Sequence, residues 1–218
     1  MATEVSRRTF LAGIAATGVV AKTAGAQVAN GMSPDAALSR LMEGNRRFAK
    51  DQLTSIEQDL KLLKEHTVDK QEPFAAVLSC SDSRVPVELV FDQTIGHIFV
   101  ARVAGNIINA EIIGSLEYGA AVLGVKMLLV MGHANCGAVK AALAKKPVPG
   151  QIASLYSHLE AAVASAGGGV EETIKKNAVI QANLLAKTST VLAPMVKEGK
   201  LKIQAAYYDV GTGVVTLL

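Results

Sequence analysis

Short, mostly apolar runs recur along the chain, and segments of helical character separate them. The runs cover residues 74–78, 97–101, 126–131 and 201–207, and residues 214–218 are a candidate for a fifth. Continuous apolar runs of this length are typical of strands that are covered on both faces. Their alternation with helices predicts an α/β fold with a mostly parallel sheet of four to five strands flanked by helices.

The segments between these runs carry helical spacing or helix start signals. The clearest start is Ser33-Pro34-Asp35, which offers a capping side chain, a proline for the first turn and an acid near the positive end of the helix. The predicted helices cover residues 33–50, 55–66, 111–123, 138–145, 152–164 and 170–196. The triplet Gly167-Gly168-Gly169 separates the last two.

Composition limits the class of protein. Half of the 218 residues are apolar and 19% are charged, which excludes an intrinsically disordered chain. A formal net charge of +3 gives no electrostatic case for a nucleic-acid partner. The two cysteines close at most one bridge, which excludes a small disulfide-stapled protein. Neither an internal repeat nor a low-complexity linker is evident, so we expect one domain over residues 27–218.

The first 26 residues have the pattern of an export signal. Arg7 and Arg8 precede a weakly apolar run rich in Ala and Gly, and Ala24-Gly25-Ala26 forms a small-x-small cleavage pattern. This arrangement resembles a twin-arginine signal. We therefore expect a signal peptide over residues 1–26 and a periplasmic or otherwise exported mature chain without a membrane span. The alternative is an amphipathic helix, although the polar residues form no helical stripe.

Two cysteines and a histidine lie in polar loops that follow predicted strands. Cys80 comes after the run at 74–78, whereas His133 and Cys136 come after the run at 126–131. Because ligands collect at the carboxyl ends of parallel strands, these side chains are expected to converge. Two thiolates and one imidazole suit Zn²⁺ and leave a fourth position open, as in catalytic sites. The alternatives are two buried apolar cysteines or one disulfide, and the polar loops favour the metal site.

Asp82 and Arg84 lie in the same loop as Cys80. One interpretation is a surface ion pair, which would contribute little to stability. The other is that Arg84 holds Asp82 away from the metal, so that its carboxylate orients a zinc-bound hydroxide, available because zinc lowers the pKa of water to about 7. Released from Arg84, Asp82 could become a fourth ligand and close the site. The separation of only two residues from Cys80 favours the second interpretation, and CO2 suits a tight site with few recognition groups.

The motifs Cys80-Ser81-Asp82-Ser83-Arg84 and His133-Ala134-Asn135-Cys136-Gly137, preceded by Gly44-Asn45-x-Arg47-Phe48, resemble the signature of the β-class carbonic anhydrases. The resemblance runs from about Ser33 to the C-terminus. It implies a zinc enzyme that interconverts CO2 with bicarbonate and a proton, with one Zn²⁺ per subunit. It also implies homodimers or homotetramers whose active sites lie at subunit interfaces. The zinc ligands implied are Cys80, His133 and Cys136, and Asp82 with Arg84 would form the catalytic dyad.

The same resemblance implies four substrate-site residues. Gln71 is similar to a glutamine that hydrogen-bonds substrate in a permanently open subtype. Phe99 and Tyr118 resemble apolar and aromatic pocket residues that either subunit can contribute. The backbone N–H of Gly137 would assist bicarbonate binding. Without the resemblance, the simplest interpretation places Phe99 and Tyr118 in the core and leaves Gln71 solvated.

Three other functions stay open at the level of sequence. The first is hydrolysis of carbonyl sulfide or carbon disulfide on the same scaffold. The second is a non-catalytic zinc protein that serves assembly or senses bicarbonate, with Asp82 bound to the metal. The third is a redox protein that uses Cys80 and Cys136, against which the lack of a Cys-x-x-Cys pair counts.

Overall fold

A five-stranded sheet forms the centre of the protein. The computed structural model describes residues 31–55, 65 and 67–218, so the predicted export signal and most of the helix predicted over residues 55–66 lie outside the described residues. The strands are β1 (Ala75–Ser79), β2 (Ile98–Arg102), β3 (Met127–His133), β4 (Lys202–Tyr208) and β5 (Val215–Leu217). Their order is β2-β1-β3-β4-β5, and only the β4–β5 pair is antiparallel. The prediction of a mostly parallel sheet is therefore confirmed.

Seven α-helices occur within the described residues. They are α1 (Pro34–Phe48), α2 (Val87–Val90), α3 (Ala110–Ala121), α4 (Gly137–Leu143), α5 (Ser154–Ser165), α6 (Val170–Thr188) and α7 (Leu192–Lys197). Single 3₁₀ turns cover Ala104–Asn106 and Gly150–Ala153. The short α2 and both 3₁₀ turns were not predicted, because segments of three or four residues show no helical period.

Both faces of the sheet are covered, which explains the continuous apolar runs. Every residue of β1 and β3 is buried. On one face, Leu129 packs with Leu41 of α1 and Phe91 beyond α2. On the other face, a second cluster joins Leu128 of β3 to residues of α3, α6 and α7. A parallel sheet enclosed in this way leaves the carboxyl ends of its strands as the natural place for a site.

Helix α1 is fixed at both ends by side-chain hydrogen bonds. Ser33 Oγ accepts from the N–H of Ala36 at 3.1 Å, so the predicted capping residue does cap the helix. Near the other end, Asn45 Nδ2 donates to the carbonyl oxygens of Val90 and Gly213, at 3.1 and 2.8 Å. Asn45 Oδ1 also accepts from the N–H of Val215 at 2.8 Å. Asn45 therefore joins α1 to the end of α2 and to the start of β5, which are distant from it in sequence.

The helix predicted over residues 170–196 is two helices in the structure. The break falls at Ser189, whose backbone is extended (φ −70°, ψ 123°). Its hydroxyl accepts from the N–H groups of Val191 and Leu192, at 3.3 and 2.9 Å, and so caps the start of α7. A serine side chain can accept hydrogen bonds from nearby backbone N–H groups and so end a helix. In this protein Ser189 does so, and the predicted single helix is divided at this residue.

Candidate metal centre

The three predicted ligands meet at the carboxyl edge of the sheet. Cys80 directly follows β1, His133 is the last residue of β3, and Cys136 precedes the first turn of α4. All three are buried, and their ligand atoms lie within 4.8 Å of one another. The two Sγ atoms are 4.0 Å apart and the cysteines are free thiols, so the disulfide alternative is not what the structure holds. Pairing of β1 with β3 brings residues 53 positions apart into one cluster.

The histidine is presented as a metal ligand. His133 Nδ1 lies 3.0 Å from the carbonyl oxygen of Ala134, and because a carbonyl only accepts, Nδ1 carries the hydrogen. Its Nε2 atom therefore keeps a lone pair, is buried, and has no hydrogen-bond partner among the described residues. Metal-bound histidines are oriented in this way by a hydrogen bond at the other ring nitrogen. Two sulfurs and this nitrogen fit Zn²⁺.

The surroundings of Cys80 favour its thiolate form. The hydrogen bond with the Cys136 thiol is the largest influence on Cys80 and lowers its pKa, and the N–H of Gly105 adds a further bond to Cys80 Sγ at 3.3 Å. Donating to Cys80 and being buried raise the pKa of Cys136. One negative charge is thus already stabilised between the two sulfurs, and thiolates are the form that binds a metal.

Asp82 and Arg84 form a two-pronged ion pair at the edge of the cluster. Arg84 Nε and Nη2 donate to Asp82 Oδ1 and Oδ2, at 3.0 and 2.8 Å, and the backbone N–H of Arg84 donates to Oδ1 at 2.9 Å. These bonds hold the pKa of the Asp82 carboxyl well below its usual range. Asp82 Oδ2 lies 3.8 Å from His133 Nε2. The carboxylate is therefore ionised, held by Arg84 and adjacent to the ligand triangle without belonging to it.

The other predicted residues divide into one near the cluster and three remote from it. Gly137 follows Cys136 directly and is exposed at the start of α4. Gln71 is exposed ahead of β1, so the five residues of that strand, about 17 Å, separate it from the edge that carries Cys80. Phe99 pairs with Ala76, about 10 Å from that edge. The rings of Phe99 and Tyr118 are 6.3 Å apart, and Tyr118 is 48% exposed rather than in the core.

Residues at the end of β2 and on α6 also support the cluster, and they were not predicted from the sequence. Arg102 donates to the backbone carbonyls of Cys80 and Asp82. Asn177 of α6 donates to the carbonyl of Gly105 at 2.8 Å and accepts from Gln181 at 3.0 Å, and both side chains are buried. The available signals were an arginine closing an apolar run and two amides spaced i, i+4 on an apolar helix face. Neither pattern is specific without knowledge of which strands are neighbours.

A mostly parallel α/β sheet carries two thiols and an imidazole at its carboxyl edge, which is a donor set that suits a zinc ion. A family model described as carbonic anhydrase matches residues 75–215. The chain is 42% identical over 115 residues to carbonic anhydrase 2 of Mycobacterium tuberculosis, a match that covers 51% of this chain and about half (54%) of that relative. The chain is also 32% identical over 196 residues to a Pseudomonas aeruginosa carbonic anhydrase, with 82% and 86% of the two chains covered.

Solved structures agree with these relatives. The Coccomyxa β-carbonic anhydrase in complex with acetazolamide is similar to this chain with a TM-score of 0.65 and 27% identity, over 83% of this chain and 86% of that one. The chain belongs to the β-carbonic anhydrase family, as its two motifs indicated. Within the range the structure describes, no helix has both the length and the apolar character needed to cross a bilayer.

Proposed function

We propose that the protein catalyses the reversible hydration of CO2 to bicarbonate and a proton, with one Zn²⁺ held by Cys80, His133 and Cys136. The observation that carries the proposal is the buried triangle of two thiols and an unpartnered imidazole nitrogen, with an arginine-held carboxylate beside it. The names of the relatives support the same activity. Three protein ligands leave room for a fourth, exchangeable one, which a structural zinc site would not provide.

Each ligand residue has a separate task in this proposal. A bound zinc ion supplies a Lewis acid that makes hydroxide available near neutral pH. Cys80 and Cys136 contribute the two negative charges that balance the ion, while His133 is held in its ligating tautomer by the Ala134 carbonyl. Burial of all three excludes bulk water from their side of the site.

Asp82 and Arg84 act as the dyad that orients the attacking oxygen. The Asp82 carboxylate is ionised and therefore only accepts hydrogen bonds. By accepting one from the attacking oxygen, it turns that oxygen's lone pair toward CO2. Arg84 keeps the carboxylate at the 3.8 Å distance from His133 Nε2, so that it stays beside the ligands instead of joining them.

The outer residues complete the site in different ways. Gly137, next to Cys136, offers its backbone N–H to a bicarbonate oxygen. Gln71, Phe99 and Tyr118 act across a subunit interface in a homodimer or homotetramer, because their own chain places them far from its cluster. Support for this comes from Tyr118, which stacks obliquely on Phe99 while nearly half of it stays exposed.

Residues 1–26 direct export in the folded state, and residues 27–218 form the enzyme domain. Support comes from the paired Arg7 and Arg8 and from the cleavage pattern that ends at Ala26. Export after folding fits a protein with two free thiols, because zinc bound beforehand would keep them from pairing in an oxidising compartment. Replacing both arginines by lysine should retain the precursor inside the cell, and normal export of that variant would contradict the assignment.

Stopped-flow measurement of CO2 hydration by the zinc-loaded protein tests the proposed activity. We expect rates well above the buffer background, and a fall in kcat of about 100-fold in Asp82→Asn with the zinc content unchanged. Asp35→Ala, which removes an exposed acid far from the cluster, is the matched control and should keep full activity. Background rates with CO2 together with turnover of carbonyl sulfide would replace the proposal with the sulfur-substrate alternative.

A further inference from the structure

Three hydrogen bonds from the end of β2 and the following turn converge on the loop that carries Cys80 and Asp82. Arg102 Nε donates to the carbonyl oxygen of Cys80 at 2.9 Å, and Arg102 Nη2 donates to the carbonyl oxygen of Asp82 at 2.6 Å. The N–H of Gly105 donates to Cys80 Sγ at 3.3 Å. One strand and its turn therefore restrain both a metal ligand and the residue that bears the dyad carboxylate.

The geometry of the sheet explains why an arginine is needed at this position. Arg102 is the last residue of β2 and pairs with Ser79, the last residue of β1, so its side chain lies beside the loop that leaves β1. The guanidinium carries donors in a rigid planar fork and can bridge two carbonyls two residues apart. A lysine carries a single point of attachment and cannot hold both carbonyls in one fixed geometry.

The loop has few other restraints at its centre. The carbonyl of Asp82 also accepts from the N–H of Val85 at 3.1 Å, within the same turn. The other bonds of Asp82 join it to Arg84 and, through its own N–H, to the Cys80 sulfur, and both of these residues belong to the same loop. Among the described side chains, Arg102 therefore connects the Asp82 backbone to a different strand, β2. This strand belongs to the same sheet as β3, which carries His133.

We propose that Arg102 is a positioning residue, which fixes the backbone of Cys80 and Asp82 and so sets the place of the Asp82 carboxylate relative to the metal centre. This inference rests on the proposed function, because its main consequence is catalytic. A misplacement of about 1 Å by a residue remote from the chemistry lowers rates by about 100-fold in other enzymes. Loss of an outer partner of a metal ligand lowers metal affinity or activity by about 10- to 100-fold.

The variant Arg102→Met keeps an unbranched apolar stem in place of the side chain and removes both hydrogen bonds. We expect it to retain one zinc per chain, to lose zinc to a chelator about 10-fold faster, and to show a kcat lower by about 10- to 100-fold. In an Asp82→Asn background, the same change should lower kcat by less than about threefold, because Arg102 acts through Asp82. Arg46→Met, which removes a 62% exposed arginine on α1, is the matched control and should leave both rates unchanged.

Additive losses in the double variant would overturn the proposal, because an unspecific structural role lowers activity in either background. Unchanged zinc loss and kcat in Arg102→Met would overturn it as well. If that variant does not fold, Arg102→Lys decides. The kcat and the rate of zinc loss of Arg102→Lys should lie between those of the wild type and those expected for Arg102→Met. Wild-type values of both would refute the positioning role. If the wild type itself does not hydrate CO2, the proposed function fails, while the chelator rates still test the restraint on Cys80.

Discussion

A single methyl group at Gly44 should destabilise the protein strongly. Gly44 lies in α1 where the helix crosses the loop after α2, and a Cβ built there would be 1.7 Å from the backbone oxygen of Phe91. Because real Cβ atoms essentially never come closer than 3.0 Å to such an atom, the two backbones must separate by at least about 1.3 Å. A backbone oxygen cannot rotate aside as a flexible side chain can, so Gly44→Ala has to displace α1 itself.

The magnitude follows from the bonds next to Gly44. Asn45 makes three hydrogen bonds of 2.8 to 3.1 Å to Val90, Gly213 and Val215, and a shift of this size takes them beyond hydrogen-bonding distance. At about 1 kcal/mol for each bond, the loss is about 3 kcal/mol before any packing of Leu41 is disturbed. At an m-value of about 2 kcal/mol/M, the urea midpoint should fall by about 1.5 M.

Urea unfolding followed by circular dichroism at one fixed protein concentration measures this change. Ser39→Ala is the matched control, because Ser39 is exposed on the same helix and its replacement should change the free energy of unfolding by less than about 0.5 kcal/mol. A Gly44→Ala midpoint within 0.3 M (about 0.6 kcal/mol) of wild type would refute the reasoning, because it would show that α1 is not held against the loop at this point.

Three further results are expected. Cys80→Ala should lower the zinc content from about one ion per chain to below about 0.1, since only two strong ligands remain, and full zinc retention by metal analysis would contradict the ligand set. The Asp82–Arg84 pair should stabilise the fold above about pH 4 and lose this contribution as the pH falls, because the pKa of Asp82 is lowered in the folded state. The difference in unfolding free energy between wild type and Asp82→Asn should therefore shrink on acidification, and growth of that difference would be inconsistent with the pair. Leu129→Ala, in the centre of β3, should lower the free energy of unfolding by about 2–5 kcal/mol, whereas Val68→Ala, at a 74% exposed position, should change it little.

Periodicity in the sequence was sufficient for the fold class and for most elements. The runs at 74–78 and 126–131 became β1 and β3, because strands buried on both faces leave an unmistakable apolar pattern. The order of the strands and the antiparallel β5 could not be predicted, since both depend on which edges meet after folding. The break at Ser189 was missed for a related reason, because its capping role appears only once α7 turns away from α6.

Residue type and position after a predicted strand were sufficient to predict which residues form the metal cluster, but not the residues that support it. Cys80, His133 and Cys136 were placed together by the rule that parallel strands present their carboxyl ends at one edge, and the structure confirms that they converge. The roles of Gln71 and Tyr118 stay predictions, because a single chain does not bring them to that edge. The bridging by Arg102 depends on the register between β2 and β1, which no local pattern encodes.

The three residues proposed as zinc ligands come from two chain segments that are 53 residues apart, which bears on how such an ion would be bound. An unfolded chain holds a single thiol at one point and a thiol with an imidazole at another, so it chelates weakly. The folded chain presents all three donors at once, which makes the ion a selective ligand of the native state. Free zinc at about 100 times the dissociation constant would then raise the unfolding free energy by about 2.7 kcal/mol. Under the proposed function, zinc supply would act on the stability of the protein as well as on its turnover, and chelation should make the protein sensitive to heat and proteases.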